Sequence, residues 1–215
     1  MRGWTANKLY NQPSIPTLMK IYFTKDRITL NKELNKLDQF VISFTKILNN
    51  LKVEYVIVSG YVAILFGRSR SSEDIDLLIE KLDYGRFLTL WKELHKTFEC
   101  IITSKSEEAY KDYLQTGHSI RFAKGDWQPN IEIKMPTDPL DDISLNEHIT
   151  VILNRHTLYI SPLELQITYK LYLGSEKDIE DARHLYLIFK EKLDMTLLER
   201  FARKLKIQQA LNHLK

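Results

Sequence analysis

Residues 55–80 read YVIVSGYVAILFGRSRSSEDIDLLIE, and they indicate the fold more clearly than any other stretch. Two apolar runs flank the small-residue turn Ser59-Gly60, and a polar loop separates the second run from Asp74 and Asp76. This order predicts a strand, a short helix and a second strand that begins at the acids. Because residues i and i+2 of a strand point to the same face, the two aspartates should project together.

Paired carboxylates repel each other, so the pair is costly unless a cation lies between them. Oxygen ligands of this kind suit Mg²⁺ or Mn²⁺, which commonly bring the phosphates of a substrate with them. The other interpretation is a pair of solvated acids at the start of a strand. Backbone N–H groups at Ser59-Gly60, where the short helix begins, can bind phosphate, unless Ser59 is a plain helix cap.

The segment resembles the signature of the nucleotidyltransferase superfamily typified by DNA polymerase β, in which a small-residue turn opens a helix and Asp-x-Asp follows on the next strand. It is most similar to the minimal, AbiEii-type toxin branch, which has Arg-x-Ser/Thr-x-Asp-x-Asp. Four residues match that pattern: Arg70, Ser72, Asp74 and Asp76. A second block, residues 161–186, is similar to the branch's helical Lys followed by Lys-Asp-x-x-Asp.

The resemblance implies an enzyme that moves a nucleoside monophosphate from a nucleoside triphosphate, such as ATP, to an acceptor hydroxyl. Asp74 and Asp76 would hold Mg²⁺ or Mn²⁺ in a two-metal site, and a third carboxylate would come from a neighbouring strand. Glu132 alternates with isoleucines on a predicted strand, and by resemblance it would ligate the second metal and help to deprotonate the acceptor. The family usually has Asp here. Asp126, in a turn, is the alternative.

Basic residues are the candidates for contact with the triphosphate. Arg70 and Ser72 lie in the loop before the paired acids, where Arg can bridge a phosphate or a carboxylate, and Arg68 competes without motif support. Lys170 lies on an apolar helix, where it either extends to water or meets an anion. The resemblance implies that this anion is the triphosphate.

Acids at the start of the following helix are also candidates, although the helix dipole alone favours them there. Asp178 could pair with Lys170 or orient the acceptor, and we place it ahead of Asp181 as a catalytic residue. Four aromatic residues fit the spacing of a helical core more simply than base stacking: Tyr169, Tyr172, Tyr186 and Phe189.

Composition is that of an ordinary globular protein of 215 residues, with 27% charged residues and a net charge of +3. A single cysteine, Cys100, excludes an internal disulfide and fits a reducing cytoplasm. No apolar run is long enough to span a bilayer, and the N-terminus lacks the apolar centre of a signal peptide, so we expect a cytoplasmic protein without membrane contact. Residues 183–215 carry eight basic and three acidic residues, which could receive RNA or be a solvated helix face.

We therefore predict an α+β fold with a small mixed sheet flanked by helices and a C-terminal helical lobe. The expected division is an N-terminal arm, a nucleotidyltransferase core and the lobe, at residues 1–29, 30–160 and 161–215. Further predicted helices are 30–51, 84–96, 161–173 with a Ser161 capping box, and 175–193. Further predicted strands are 100–103, 120–123, 130–135, 149–153 and 157–160.

The sequence does not decide whether the acceptor is a tRNA end, a protein hydroxyl or a small molecule. The toxin-like branch also implies a cognate antitoxin as partner. The alternative function is a non-catalytic nucleotide- or RNA-binding relative, which is favoured by Glu132 in place of Asp and by the reversed order of Ser59-Gly60.

Overall fold

A mixed β-sheet of nine strands forms the centre of the computed structural model, within the residues that it describes, 19–24, 27–72 and 74–214. Across the sheet the strands follow the order β1-β2-β8-β9-β3-β4-β7-β6-β5. Their bounds are β1 (Lys20–Phe23), β2 (Arg27–Asn31), β3 (Tyr55–Val58), β4 (Asp74–Ile79), β5 (Glu99–Cys100), β6 (Ile120–Lys124), β7 (Asp126–Lys134), β8 (Ile149–Leu153) and β9 (His156–Ile160).

Helices cover the sheet and continue beyond it. They are α1 (Lys36–Asn50), α2 (Gly60–Leu65), α3 (Tyr84–Leu94), α4 (Ser106–Glu108), α5 (Pro139–Asn146), α6 (Leu163–Leu173), α7 (Glu176–Phe189), α8 (Met195–Lys204) and α9 (Gln208–Leu214). After α4 the chain continues through a π-turn and a 3₁₀-turn to β6. The predicted α+β class is confirmed, and the sheet is larger than expected.

Strands β4 and β7 lie side by side and parallel at the centre, which decides where the functional residues meet. On one face of this pair, Ile75, Ile131 and Ile133 are fully buried. On the other face lie the polar residues that alternate with them. The predicted strand over 74–79 and the short helix from Gly60 are confirmed.

The helix predicted over 30–51 begins later than its apolar spacing indicates. Leu30 is fully buried in β2, where it pairs with Leu153 of β8, and α1 starts at Lys36. Asn35 caps the helix by accepting the N–H of Asp38, whose carboxylate accepts the N–H of Asn35 in return. The prediction was wrong here because the strand partner of Leu30 lies more than a hundred residues away, where no local pattern reveals it.

The predicted Ser161 capping box is also wrong. Helix α6 starts one residue later than predicted, after Pro162. The Ser161 hydroxyl instead forms a hydrogen bond with the Ser144 hydroxyl, at 3.0 Å. Glu164 turns away and accepts the N–H of Asp194 at 2.8 Å. Helix α5 was not predicted, although Asp138 before Pro139 is a cap followed by proline at the first helical position, which is a standard start signal.

The predicted N-terminal arm lies partly outside the described residues. Within them, β1 pairs with β2, and β2 pairs in parallel with β8, so both strands extend the central sheet. Helix α6 packs against both α7 and α8, and α9 contacts α6 and α8. Over the described part of the chain, the longest and most apolar helices still fall short of what crossing a membrane requires.

Candidate active site

Three acidic side chains share one face of the β4–β7 pair. Parallel pairing sets Asp74 opposite Asn130 and Asp76 opposite Glu132, with all four on the polar face. The Asn130 amide donates to Asp74 at 2.9 Å. Alternation along β4 and registry with β7 together bring Asp74, Asp76 and Glu132 into one row.

Asp76 lies deepest in this row. Its burial raises its pKa, and the neighbouring charges of Glu132 and Asp74 raise it further, against the lowering effects of a hydrogen bond from Ser59 and the charge of Lys170. The net shift is upward, so the site disfavours a third negative charge at this position. A bound cation would reverse that preference, because it stabilises the ionised form.

Glu132 is held by an arginine. Arg121 of the adjacent strand β6 donates through Nε to the Glu132 carboxylate at 2.7 Å. In residues 19–24, 27–72 and 74–214, as they are placed, no three acidic, histidine or cysteine side chains converge tightly enough to hold a metal ion. Asp74 and Asp76 have the oxygen-only chemistry that Mg²⁺ prefers, whereas Glu132 would have to turn from Arg121 to join them. The alternative third acid, Asp126, is exposed at the start of β7.

Ser59-Gly60 forms a strained turn beside the acids. Ser59 has φ 63° and ψ −136°, a conformation that favours glycine, and its N–H donates to Gln166 of α6 at 3.2 Å. Its hydroxyl is not used to cap α2 but lies close enough to Asp76 to lower the pKa of that carboxyl. The reversed Ser-Gly order therefore places the Ser59 hydroxyl next to the Asp76 carboxylate, and it does so at the cost of backbone strain at Ser59.

Gly60 lies directly beneath the guanidinium group of Arg70. A Cβ atom at residue 60 would overlap Nη2 of Arg70 and approach the Ser72 hydroxyl. The Ser72 hydroxyl in turn donates to the backbone oxygen of Asp74 at 2.9 Å. The absence of a side chain at residue 60 thus allows the Arg70 loop to close over the start of α2.

The family resemblance implies that Arg70 contacts the triphosphate, so we predict that Gly60→Ala displaces Arg70 and weakens binding of magnesium ATP about tenfold, the scale of one lost hydrogen bond to a charged group. The free energy of unfolding should change little, because the overlapping atom is the end of a flexible side chain. Isothermal titration measures the affinity and urea unfolding the stability. Gly85→Ala in α3 is the matched control and should leave the affinity unchanged; an equal loss in both variants would contradict the prediction.

A buried ion cluster lies next to this turn, and Asp181 is its centre. The fully buried carboxylate lies 2.6 Å from Nε of Arg68, 2.8 Å from Nζ of Lys170 and 3.5 Å from Nη1 of Arg70. These are charge contacts rather than aligned hydrogen bonds. The sequence favours Asp178 over Asp181 and offers no motif for Arg68; in the structure both Asp181 and Arg68 belong to the cluster.

Asp178 contacts the same lysine from nearer the surface. It accepts from Lys170 at 3.1 Å and from the Ser175 hydroxyl that caps α7. Burial works against its ionisation, but the hydrogen bonds from Ser175 and Lys170 outweigh this, so the pKa of Asp178 is lowered. Lys170 does not extend to water, since its side chain is 2% exposed.

Of the four aromatic residues that their spacing predicts to be core residues, the two on α6 are exposed. Tyr169 is 42% exposed and Tyr172 is 54% exposed, whereas Tyr186 and Phe189 are buried as predicted. Spacing alone could not separate them, because a helix between two neighbours buries most of its surface and leaves one narrow face open.

Solved structures show that this arrangement of elements is a nucleotidyltransferase-like fold. An antigenic nucleotidyltransferase-like protein from Paracoccidioides brasiliensis matches with a TM-score of 0.54 at 17% identity, over 82% of this chain and 92% of that one. The solution structure of the antibiotic-resistance factor ANT(2'')-Ia gives a TM-score of 0.51 at 14% identity, over 83% and 97%. Its crystal structure with adenylyl-2''-tobramycin gives 0.51 at 17% identity, over 79% and 99%.

No protein-family profile and no curated protein sequence matches the chain. At the identities found, the structural likeness establishes the fold, in agreement with the superfamily named from the Asp-x-Asp segment. The AbiEii-type branch stays a prediction from the sequence.

Proposed function

We propose that the protein is a metal-dependent nucleotidyltransferase that transfers a nucleoside monophosphate from a nucleoside triphosphate to an acceptor hydroxyl. The observation that carries the proposal is a separation of charge along one sheet face. Acids occupy the middle of the face, at Asp74, Asp76 and Glu132, and buried cations collect at one end of it, around Lys170 and Arg70.

The cation end has the chemistry of a triphosphate site. Three cations meet one fully buried carboxylate there, while Asp178 and Glu180 balance them from more exposed positions. Cations clustered in buried and partly buried positions favour a polyanionic ligand, since the lowered dielectric strengthens each contact. Arg70 and Ser72 lie beside Gly60 on the same side, and Lys170 is close enough to lower the pKa of Asp76.

The acidic residues in the middle of the face have the chemistry of a metal site. Asp74 and Asp76 would hold Mg²⁺ or Mn²⁺, with Glu132 joining on release from Arg121. When bound, the metal supplies charge neutralisation for the phosphates and alignment for the reacting oxygens. The hydroxyl of Ser59 keeps Asp76 oriented, and the amide of Asn130 does the same for Asp74.

In the reaction, the acceptor oxygen forms a bond to the α-phosphorus while the bond from that phosphorus to the bridging oxygen breaks. Pyrophosphate leaves with the bonding electrons towards Lys170 and Arg70. The proton of the acceptor passes to the Glu132 carboxylate, which is the acid nearest Asp76 on the neighbouring strand. Asp178 and Asp181 act on Lys170 and Arg70, whose orientation they fix.

Glu132→Gln tests the proposal. We expect labelled nucleoside monophosphate transfer, supported by Mg²⁺ and abolished by EDTA, to fall at least a hundredfold, because the neutral amide cannot accept the proton. Binding of magnesium ATP should stay within about twofold of wild type, since the triphosphate contacts are elsewhere.

The matched control is Glu99→Gln, on the exposed edge strand β5 of the same sheet. It should transfer at the wild-type rate. Wild-type protein that binds magnesium ATP but transfers nothing to RNA, protein or small-molecule fractions would favour the alternative, a non-catalytic nucleotide-binding relative. An antitoxin partner stays a prediction from the sequence resemblance alone.

A further inference from the structure

A second cavity opens on the same sheet face, at the opposite end from the cations. Leu78 and Lys134 line it, and they are the next residues on that face after Asp76 and Glu132, about 7 Å further along the strands. Helices α5 and α6 form its walls, and Tyr169 stands at its edge. The cavity is joined to the acids through Gln166, which lines it and accepts the N–H of Ser59.

The direction of the reaction decides what this cavity holds. In-line displacement places the attacking and leaving oxygens on opposite sides of the α-phosphorus. Helix α6 contributes Leu165, Gln166 and Tyr169 to the cavity and Lys170 to the cation cluster, so it forms a wall that the two share. If pyrophosphate leaves towards Lys170, the acceptor hydroxyl approaches from the cavity.

Space for the nucleoside lies on the other side. Two larger cavities, of about 500 and about 580 Å³, are lined by Arg70 and its neighbours in the loop. The cavity beside Tyr169 is smaller, with a volume of about 90 Å³. It is the smallest of these three cavities, so it suits a ligand smaller than a nucleoside.

The charges of the cavity wall select against a polyanion. Lys134 is its one cation within the described residues, and it is already paired with Asp141 at 3.3 Å. Asp138, the other acid in the wall, accepts two backbone N–H groups at the start of α5. The remaining polar lining consists of neutral hydroxyls and an amide, and the half-exposed ring of Tyr169 offers a flat apolar surface.

We propose that this cavity is the acceptor site and that the acceptor is a small, ring-shaped, hydroxyl-bearing molecule, uncharged or carrying a positive charge, which stacks on Tyr169. This rests on the proposed nucleotidyl transfer and narrows its substrate class. An RNA end would bring several phosphates to a wall whose lysine is already neutralised. A sugar-like ring instead finds the stacking face of Tyr169 and a lining of neutral polar groups.

Three monosaccharide probes of one shape and different charge test the inference: methyl glucopyranoside, glucosamine and glucose 6-phosphate. Binding is measured by saturation-transfer NMR on the full chain with Mg²⁺ and a non-hydrolysable ATP analogue. We expect the neutral and cationic probes to bind at millimolar concentration and the phosphorylated probe to bind at least fivefold more weakly. Tyr169→Ala should weaken the first two at least fivefold and change affinity for the ATP analogue less than twofold.

Tyr22→Ala is the matched control, since this tyrosine is also exposed, lies on β1 and does not line the cavity. It should bind all probes as the wild type does. Preference for the phosphorylated probe, no binding of any probe, or equal effects of the two variants would overturn the inference. A loss of ATP-analogue affinity in Tyr169→Ala would instead make the cavity the nucleobase site. Failure of the wild type to bind the ATP analogue at all would contradict the proposed function itself.

Discussion

Asp181→Asn should lower the free energy of unfolding by about 3–5 kcal/mol, the scale of removing one partner from a buried ion pair. The reason is that Arg68, Arg70 and Lys170 all contact this fully buried carboxylate, and the neutral amide leaves their charges uncompensated. Urea unfolding at neutral pH measures the loss. Magnesium ATP should restore more stability to the variant than it adds to the wild type, because the triphosphate replaces the missing negative charge.

Glu180→Gln is the control for that experiment. Glu180 also contacts Arg68, at 2.7 Å, but its side chain is half exposed, and water screens the pair. We expect a much smaller loss of stability than for Asp181→Asn. If both variants lose the same amount, burial of the Asp181 charge is not what stabilises the cluster.

Asp76→Asn should abolish nucleotidyl transfer, by about 10³-fold or more, while making the protein more stable at neutral pH. The gain in stability follows from the raised pKa of Asp76, whose ionisation is opposed first by burial and then by Glu132 and Asp74. Because the folded state binds this proton more readily than the unfolded chain, the stabilisation is present at low pH. It is lost as pH rises through the folded pKa.

The pH dependence of unfolding separates this effect from a general change in packing. The difference in unfolding free energy between Asp76→Asn and wild type should grow as the pH rises from about 4, the usual value for Asp, through the raised folded pKa of Asp76. Asp126→Asn, at an exposed acid on β7, should show no such growth and should keep full transfer activity. A pH-independent difference, or retained transfer in Asp76→Asn, would contradict the assignment of Asp76 to the metal site.

The centre of the fold could be predicted because its signals are local. Alternation in Asp74-Ile75-Asp76 defines a strand with one polar face, and the run from Tyr55 to Phe66 defines a strand and a helix around a small-residue turn. Glu132 could be placed on a strand for the same reason. Its registry with Asp76 is a long-range property, which the sequence indicates only through the family resemblance.

The ion cluster could not be predicted in full because it is assembled from three separate elements. Arg68 and Arg70 come from a loop, Lys170 from α6 and Asp181 from α7. Spacing on α7 offers Asp178 and Asp181 equally. Only the packing of α7 against α6 and α2 decides that the second is buried and the first is nearer to water.

Helix starts were predicted with mixed success for a related reason. Ser175 caps α7 as expected, whereas Ser161, in an equally favourable sequence, bonds to Ser144 of a helix that was not foreseen. The hydrogen bond to Ser144, a contact between distant parts of the chain, replaces the helix cap that the Ser161 hydroxyl would otherwise form. The strand β2 illustrates the same competition, because its pairing with β8 replaces the first turn of the predicted helix.

The spread of the ion cluster along the chain has a consequence for synthesis on the ribosome. Arg68 and Asp181 are separated by 113 residues. At about 5–20 residues per second, the loop cations precede the carboxylate of α7 by roughly 6–23 seconds. During that interval Arg68 and Arg70 lack the buried carboxylate that pairs with them in the folded protein, so the ion cluster assembles only after α7 has emerged and packed against α6.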